Sequence, residues 1–150
     1  MKHAIVGAGG VGGLIGGALA HSGESVAMVV RPGTRNKYPE KIHVDSTFGK
    51  FDESVEWTES VPPADVLWLA VKALQLNDSL RLIAEVARPP LIIPLLNGID
   101  HVALLRDRFG EHAVLPGTIA VETERTAPGH IVHRSPFAKL NLSARGRGML

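Results

Sequence analysis

Four uninterrupted apolar runs divide the chain, and each has the length of a β-strand. They cover residues 4–6, 26–30, 66–71 and 91–96. An apolar run without alternating polar positions is typical of a strand that is buried on both faces, as in a parallel sheet. The pattern therefore predicts four buried, parallel strands.

The segment between the first two strands is predicted to be a helix. Its apolar residues recur at helical spacing, which places them on one face: Val11, Leu14, Ile15, Ala18 and Leu19. Ser22 and Gly23 follow, and glycine is a common residue just after a helix. Parallel strands joined by a helix need a right-handed crossover, so the first 30 residues predict a βαβ unit.

Two further helices are predicted in the second half of the chain. One stripe, blocked by the proline pair at 89–90, consists of Leu76, Leu80, Ile83, Ala84 and Ala87. The other, closing at Gly110, consists of Val102, Leu105 and Phe109. The alternation of strands and helices predicts an α/β fold, namely a Rossmann-type, doubly wound and mostly parallel sheet.

The remaining segments show strand signals without a helical stripe. Residues 42–44 and 55–57 flank a turn at 47–49 and predict a hairpin inserted between the two halves of the sheet. Residues 114–142 predict antiparallel or mixed strands at an edge of the sheet. We expect residues 1–143 to form the domain and residues 144–150 to form a flexible tail.

Composition excludes several classes of protein. The 150-residue chain has a net charge of +1 and no cysteine. It therefore lacks the basic field that attracts nucleic acid, and it can hold neither a disulfide framework nor an iron–sulfur cluster. Its apolar runs are far shorter than the roughly 20 residues of a membrane span, and its N-terminus lacks the apolar core of a secretory signal. We expect a cytoplasmic globular protein with no membrane or nucleic-acid partner.

The turn between the first strand and the first helix matches the pattern GxGxxG. The six residues are Gly7, Ala8, Gly9, Gly10, Val11 and Gly12. In a dinucleotide-binding turn the first glycine permits the tight bend, the second lets a pyrophosphate approach the backbone, and the third allows close packing of helix on strand. The helix N-terminus then faces the phosphates. The alternative is that the glycines serve only a tight turn.

Arg31 stands at the end of the second strand, where an NAD enzyme usually presents an acidic residue to the adenosine ribose. A guanidinium can instead bind a 2′-phosphate through two hydrogen bonds. One charged hydrogen bond contributes roughly 1.5 to 3 kcal/mol, or about 10- to 100-fold in preference for NADPH over NADH. Arg35 is a weaker second candidate. The alternative is that Arg31 only solubilises a loop.

Lys72 and Asn97 are the first polar residues after the third and fourth apolar runs. Ligands of open parallel sheets bind beyond the carboxyl ends of the strands. Lys72 can donate to a ribose or substrate oxygen, and Asn97 can hold the nicotinamide carboxamide or the substrate. The alternatives are a solvated lysine at a strand end and a plain Asn-Gly turn.

The seven histidines are scattered and do not predict a metal site. His130 and His133 lie three apart on a predicted strand, so their side chains point to opposite faces. His101 and His112 fall near predicted helix ends. No serine nucleophile motif is present either.

Three segments of the chain together resemble the ketopantoate reductase family. They are AIVGAGGVGG at 4–13, VKALQ at 71–75 and LNGI at 96–99. Members of this family reduce 2-dehydropantoate to pantoate with NADPH in pantothenate biosynthesis. The resemblance implies that the glycines hold the pyrophosphate and that Arg31 meets the 2′-phosphate. It also implies that Lys72, Gln75 and Asn97 lie near the ribose and nicotinamide, with Lys72 and Asn97 supporting catalysis.

The resemblance covers only the cofactor half of the family. Its members continue into a helical domain that supplies the principal general acid and binds the keto acid. We therefore expect the 150-residue chain to bind NADP(H) but to turn over ketopantoate slowly or not at all. The alternatives are another NADP-dependent 2-keto or 3-hydroxy acid reductase and a non-catalytic NADP(H)-binding module. The residues leave the oligomeric state open, with a homodimer among the arrangements they allow.

Overall fold

The computed structural model describes residues 1–83, 91–96 and 100–143. Its strands are β1 Lys2–Val6, β2 Ser25–Val29, β3 Lys41–Ser46, β4 Gly49–Ser54, β5 Glu56–Thr58, β6 Val66–Leu69, β7 Leu91–Pro94, β8 Gly117–Ala120, β9 Thr123–Ala127, β10 His130–His133 and β11 Lys139–Leu142. Its α-helices are α1 Gly10–His21, α2 Leu76–Ile83 and α3 Asp100–Phe109. Short 3-10 turns cover Arg35–Lys37, Ala73–Gln75 and Glu111–Ala113.

The four predicted apolar strands are β1, β2, β6 and β7, and they pair in parallel within a five-stranded sheet. The strand order is β5-β2-β1-β6-β7. Residues 4, 5 and 6 of β1 are almost fully buried, as expected for a strand covered on both faces. The α/β fold class and the parallel sheet are therefore confirmed.

The sheet has a separate apolar layer on each face. On β1, Ile5 belongs to the layer shared with α1, while its neighbours Ala4 and Val6 belong to the other layer. Leu80 of α2 and Leu105 of α3 pack into that second layer. Alternate strand residues thus point to opposite faces, and helices cover both. The predicted positions Ala84 and Ala87 of the second helix lie outside the described residues.

The predicted hairpin partner is wrong. The strand β3 pairs with β4 around the turn at 47–48, whereas residues 56–58 form β5 and pair in parallel with β2 at the edge of the main sheet. The hairpin itself belongs to a second sheet of order β4-β3-β10-β9, in which β10 is parallel to β3. The prediction of antiparallel or mixed strands in the C-terminal segment is confirmed, but these strands do not lie at an edge of the main sheet. Instead, β9 and β10 complete this second sheet, and β8 and β11 form a third.

Helix α1 lies between the two larger sheets, and its glycines make this possible. A Cβ at Gly16 would come within 3.0 Å of Met28 in the main sheet, and a Cβ at Gly13 or Gly17 would come equally close to side chains of the second sheet. The predicted apolar face is therefore only partly correct. Leu14 is buried, but Ala18 is exposed, because the closest packing surfaces of the helix are the glycine positions.

Two buried histidines are structural. On β1, His3 Nδ1 accepts a hydrogen bond from the Trp68 indole at 3.1 Å, and burial lowers the pKa of His3. On β10, His133 is buried and its Nδ1 lies 2.8 Å from the Ser46 hydroxyl, while His130 is exposed. The prediction that His130 and His133 point to opposite faces is confirmed.

Within residues 1–83, 91–96 and 100–143, no group of three or more histidine and acidic side chains could hold a metal ion. No helix in this part of the chain is long and apolar enough to cross a membrane.

Candidate functional site

The glycine turn lies between β1 and α1, at the edge where the parallel strands of the main sheet end. Gly7 has φ +109°, and its N–H donates to the Val29 carbonyl at 3.3 Å. A Cβ on Gly7 would come within 3.0 Å of the Ala70 carbonyl, and one on Gly12 would come equally close to the Gly7 carbonyl oxygen. Packing alone therefore requires glycine at both positions.

Gly9 is different, because nothing in the fold requires it. Its backbone has φ −79° and ψ −164°, which any residue adopts, and a Cβ there would meet no atom within 4 Å. The missing side chain therefore leaves open space in front of the turn. This space is what a group that must touch the backbone would need.

The same space faces the beginning of α1. Gly9 is the N-cap residue, no side chain caps the helix, and the first turn contains no acidic residue. The first N–H groups of a helix have no partner within it, and they carry the positive end of the helix dipole. Together with the open space at Gly9, these groups form a cradle suited to an anion such as a pyrophosphate.

Thr123 forms one wall of this turn and was not singled out from the sequence. Its hydroxyl donates to the Gly10 carbonyl at 3.3 Å, and a Cβ on Gly10 would come 3.1 Å from Thr123 atoms. Thr123 begins β9 in the second sheet, 113 residues away from Gly10. No local motif indicates such a contact, since it depends on how the second sheet packs on α1.

Arg31 and Arg35 lie beyond the end of β2, at the same edge of the sheet. Both side chains are exposed. Among the described residues, the Arg31 guanidinium has no hydrogen bond or ion pair. It is therefore available to a ligand at this edge of the sheet.

Lys72 and Gln75 are brought together after β6, which ends at Leu69 rather than at the predicted residue 71. The Lys72 N–H donates to Gln75 Oε1 at 3.3 Å, and the Gln75 N–H donates to the Lys72 carbonyl at 2.8 Å. The Lys72 side chain remains exposed. Because β1 and β6 are parallel neighbours, this short turn lies at the same sheet edge as the glycine turn.

Asn97 lies outside the described residues. The strand that precedes it, β7, is parallel to β6 and ends at Pro94, at the same edge of the sheet. The predicted roles of Gly7, Gly9, Gly12, Arg31, Lys72, Gln75 and Asn97 in holding a cofactor stay predictions.

The family model, the curated relatives and the solved structures that match this chain indicate the same family. A model of the family described as "Ketopantoate reductase PanE/ApbA" matches residues 3–146. A curated relative, "Uncharacterized oxidoreductase YkpB" of Bacillus subtilis, is 32% identical over 139 residues, which cover 90% of this chain and 46% of the relative. The chain thus spans about half the length of the curated relatives it matches.

Solved structures share the fold. The 2-dehydropantoate 2-reductase of Geobacter metallireducens aligns with a TM-score of 0.83 and 27% identity, over 95% of this chain and 49% of the other. A D-mandelate dehydrogenase, whose structure contains NADH and anilino(oxo)acetate, aligns with a TM-score of 0.82 and 22% identity, over 99% and 50%. At that identity the second likeness shows the fold alone.

Proposed function

The chain belongs to the ketopantoate reductase PanE/ApbA family, and on that basis we propose that it is an NADP(H)-binding domain of a 2-keto acid reductase. When bound, the nicotinamide supplies the hydride that reduces the keto carbon. The residues of this chain bind and orient the dinucleotide.

The open space at Gly9 carries this proposal. A turn that needed only to be tight would require Gly7 and Gly12, and the structure shows a packing reason for both. It shows no such reason for Gly9, whose missing Cβ opens onto an uncapped helix N-terminus. A pyrophosphate approaching the backbone explains why residue 9 is a glycine, and the alternative of a purely structural turn does not.

The preference for NADP(H) over NAD(H) rests on Arg31. No acidic residue stands at the end of β2, and the guanidinium that takes its place has no partner among the described side chains. The fold by itself does not decide between the cofactors, since the D-mandelate dehydrogenase of similar fold was solved with NADH. A guanidinium that pairs with the 2′-phosphate would supply the discrimination.

We propose 2-dehydropantoate as the substrate of the complete enzyme, with pantoate as the product. The named 2-dehydropantoate 2-reductases among the relatives support this choice. Lys72 and Asn97 would lie near the ribose and nicotinamide, where an ammonium and an amide can orient the cofactor and the substrate carbonyl. A general acid that protonates the developing alkoxide is expected outside these 150 residues. The chain alone should therefore bind NADPH and turn over ketopantoate slowly or not at all.

Another 2-keto acid is the second candidate. The uncharacterised oxidoreductase from Bacillus subtilis supports it, because the likeness extends to an oxidoreductase that is not named for ketopantoate. Reduction rates for a panel of 2-keto acids, measured with a protein that spans the full length of the relatives, separate the two candidates.

Calorimetric titration with NADPH and with NADH tests the cofactor proposal. The unmodified chain should prefer NADPH, and Arg31→Ala should lose about 10- to 100-fold in NADPH affinity while its NADH affinity stays nearly constant. Lys37→Ala is the matched control, because it removes one exposed positive charge from the same loop. It should change either affinity by less than about threefold. Folded protein that binds neither nucleotide would overturn the proposal, and equal losses in the two variants would remove the role of Arg31.

A further inference from the structure

The loop that presents Arg31 is held in a closed turn. The Thr34 N–H and hydroxyl both bond to the Arg31 carbonyl, at 3.1 and 2.6 Å. Gly33, the third residue of this turn, has φ +83°, and Pro32 precedes it. Proline and glycine at these two positions, with a positive φ at the glycine, are typical of a type II turn. The backbone of Arg31 therefore has a defined conformation.

One carboxylate, on the residue that follows β5, secures this turn. A single oxygen of Glu59, Oε2, accepts hydrogen bonds from three consecutive N–H groups, those of Gly33 at 2.6 Å, Thr34 at 3.2 Å and Arg35 at 3.4 Å. Hydrogen bonds to an ionised acceptor are stronger than neutral ones, so the contact holds the loop more firmly than the turn alone would.

Sheet register places Glu59 at this position. Thr58 ends β5 opposite Val29 of β2, and the Thr58 carbonyl accepts a hydrogen bond from the Val30 N–H at 2.8 Å. After this pair, one chain segment continues to Glu59 and the other continues through Val30 to Arg31. Arg31 is thus fixed by strand pairing before it and by the Glu59 carboxylate after it.

Glu59 holds the backbone without neutralising the guanidinium. No ion pair joins the Arg31 and Glu59 side chains, although Glu59 binds the backbone of the turn that begins at Arg31. We propose that Glu59 is a positioning residue for 2′-phosphate recognition, fixing the turn at 31–34 so that Arg31 meets the phosphate at little entropic cost. This inference rests on the proposed binding of NADP(H). Ordering a loop in advance increases affinity because less freedom is lost on binding.

The opposite effect is the physical alternative. Three N–H groups that converge on one point could themselves bind a phosphate, and a carboxylate already there would repel it. Glu59→Gln separates the two, because the amide oxygen can accept the same bonds without the negative charge. Retained affinity in this variant supports positioning, whereas tighter phosphate binding supports competition.

The test uses two small probes that report on the adenosine end alone, adenosine 2′,5′-bisphosphate and AMP, titrated calorimetrically into the 150-residue chain. Glu59→Ala should weaken bisphosphate binding about three- to tenfold and change AMP binding by less than about twofold. Glu59→Gln should stay within about threefold of the unmodified chain for both probes. The control Glu56→Ala removes an exposed carboxylate from β5, three residues before Glu59, and should change neither affinity.

AMP binding also reports that each variant is folded. If the alanine variant does not fold, Glu59→Asp keeps the charge but shortens its reach, and it should weaken bisphosphate binding selectively. Unchanged bisphosphate affinity in Glu59→Ala or Glu59→Asp overturns the inference, and so does bisphosphate binding more than about threefold tighter in Glu59→Gln. If the unmodified chain does not distinguish bisphosphate from AMP, the proposed NADP(H) preference fails instead.

Discussion

Replacing glycines of the turn one at a time should separate folding from binding. At Gly9 an alanine Cβ meets nothing within 4 Å, and the backbone angles suit any residue. Alanine is a poorer N-cap than glycine by about 1 kcal/mol, but it also removes about 0.4–1 kcal/mol of unfolded-chain freedom. The free energy of unfolding should therefore change by less than about 1 kcal/mol. For a chain of this size, that corresponds to a Tm change within about 4 °C.

Gly12→Ala should behave differently. Its Cβ would lie inside 3.0 Å of the Gly7 carbonyl oxygen, a backbone atom that cannot rotate away, and 3.3 Å from the Ala70 Cβ. Overpacking of this kind costs about 1–3 kcal/mol, and the upper end applies because backbone must move. The gain in helix propensity returns about 1 kcal/mol. A net loss of about 2 kcal/mol should lower Tm by about 4–8 °C.

Nucleotide affinity should show the complementary pattern. A methyl group on Gly9 would stand between the helix N–H groups and a pyrophosphate, so NADPH affinity should fall at least about tenfold, or 1.4 kcal/mol, in a variant of normal stability. Thermal unfolding without ligand and calorimetry with NADPH measure the two effects separately. If Gly9→Ala binds NADPH as tightly as the unmodified chain, the pyrophosphate does not approach this backbone and the interpretation of the turn is refuted.

Three further outcomes are expected elsewhere in the fold. Because burial lowers the pKa of His3, the folded state binds fewer protons than the unfolded state, so the free energy of unfolding should fall as pH drops through about 6.5. Urea titrations at several pH values should show a smaller decrease in His3→Asn. An equal decrease would show that His3 does not cause the pH dependence. Gly16→Ala should lower the free energy of unfolding by about 1–3 kcal/mol, because its Cβ clashes with Met28. The double variant with Met28→Ala should lose less stability than the sum of the two single losses. Strict additivity would exclude the clash. His133→Ala should lower the free energy of unfolding by about 1–3 kcal/mol, because it leaves buried polar partners unpaired. The exposed control His130→Ala should lower it by less than about 0.5 kcal/mol. Similar losses for the two variants in denaturant unfolding would show that burial of His133 is unimportant.

Local patterns were sufficient for the main sheet. The uninterrupted apolar runs needed cover on both faces, and helices of matching period lay between them, so the parallel βαβ arrangement followed from the chain alone. Local patterns were insufficient at residues 55–57, because this short strand could pair either with β2 of the main sheet or with β3 of the second sheet. A three-residue strand carries no information about its partner, and the choice of β2 over β3 depends on packing distant in sequence.

The candidate site divides in the same way. The amino-acid sequence alone determined the glycine turn, the guanidinium after β2 and the polar residues after β6, because each is adjacent to a strand end that the apolar pattern locates. Only the tertiary structure showed which glycines are required by close packing and that Gly9 instead faces open space. The close contacts come from Ala70 and from the second sheet beside α1. The tertiary structure alone also brought Thr123 and Glu59 to the site. Their contacts span 113 and about 25 residues of chain, and long-range contacts of this kind arise from sheet register and layer packing.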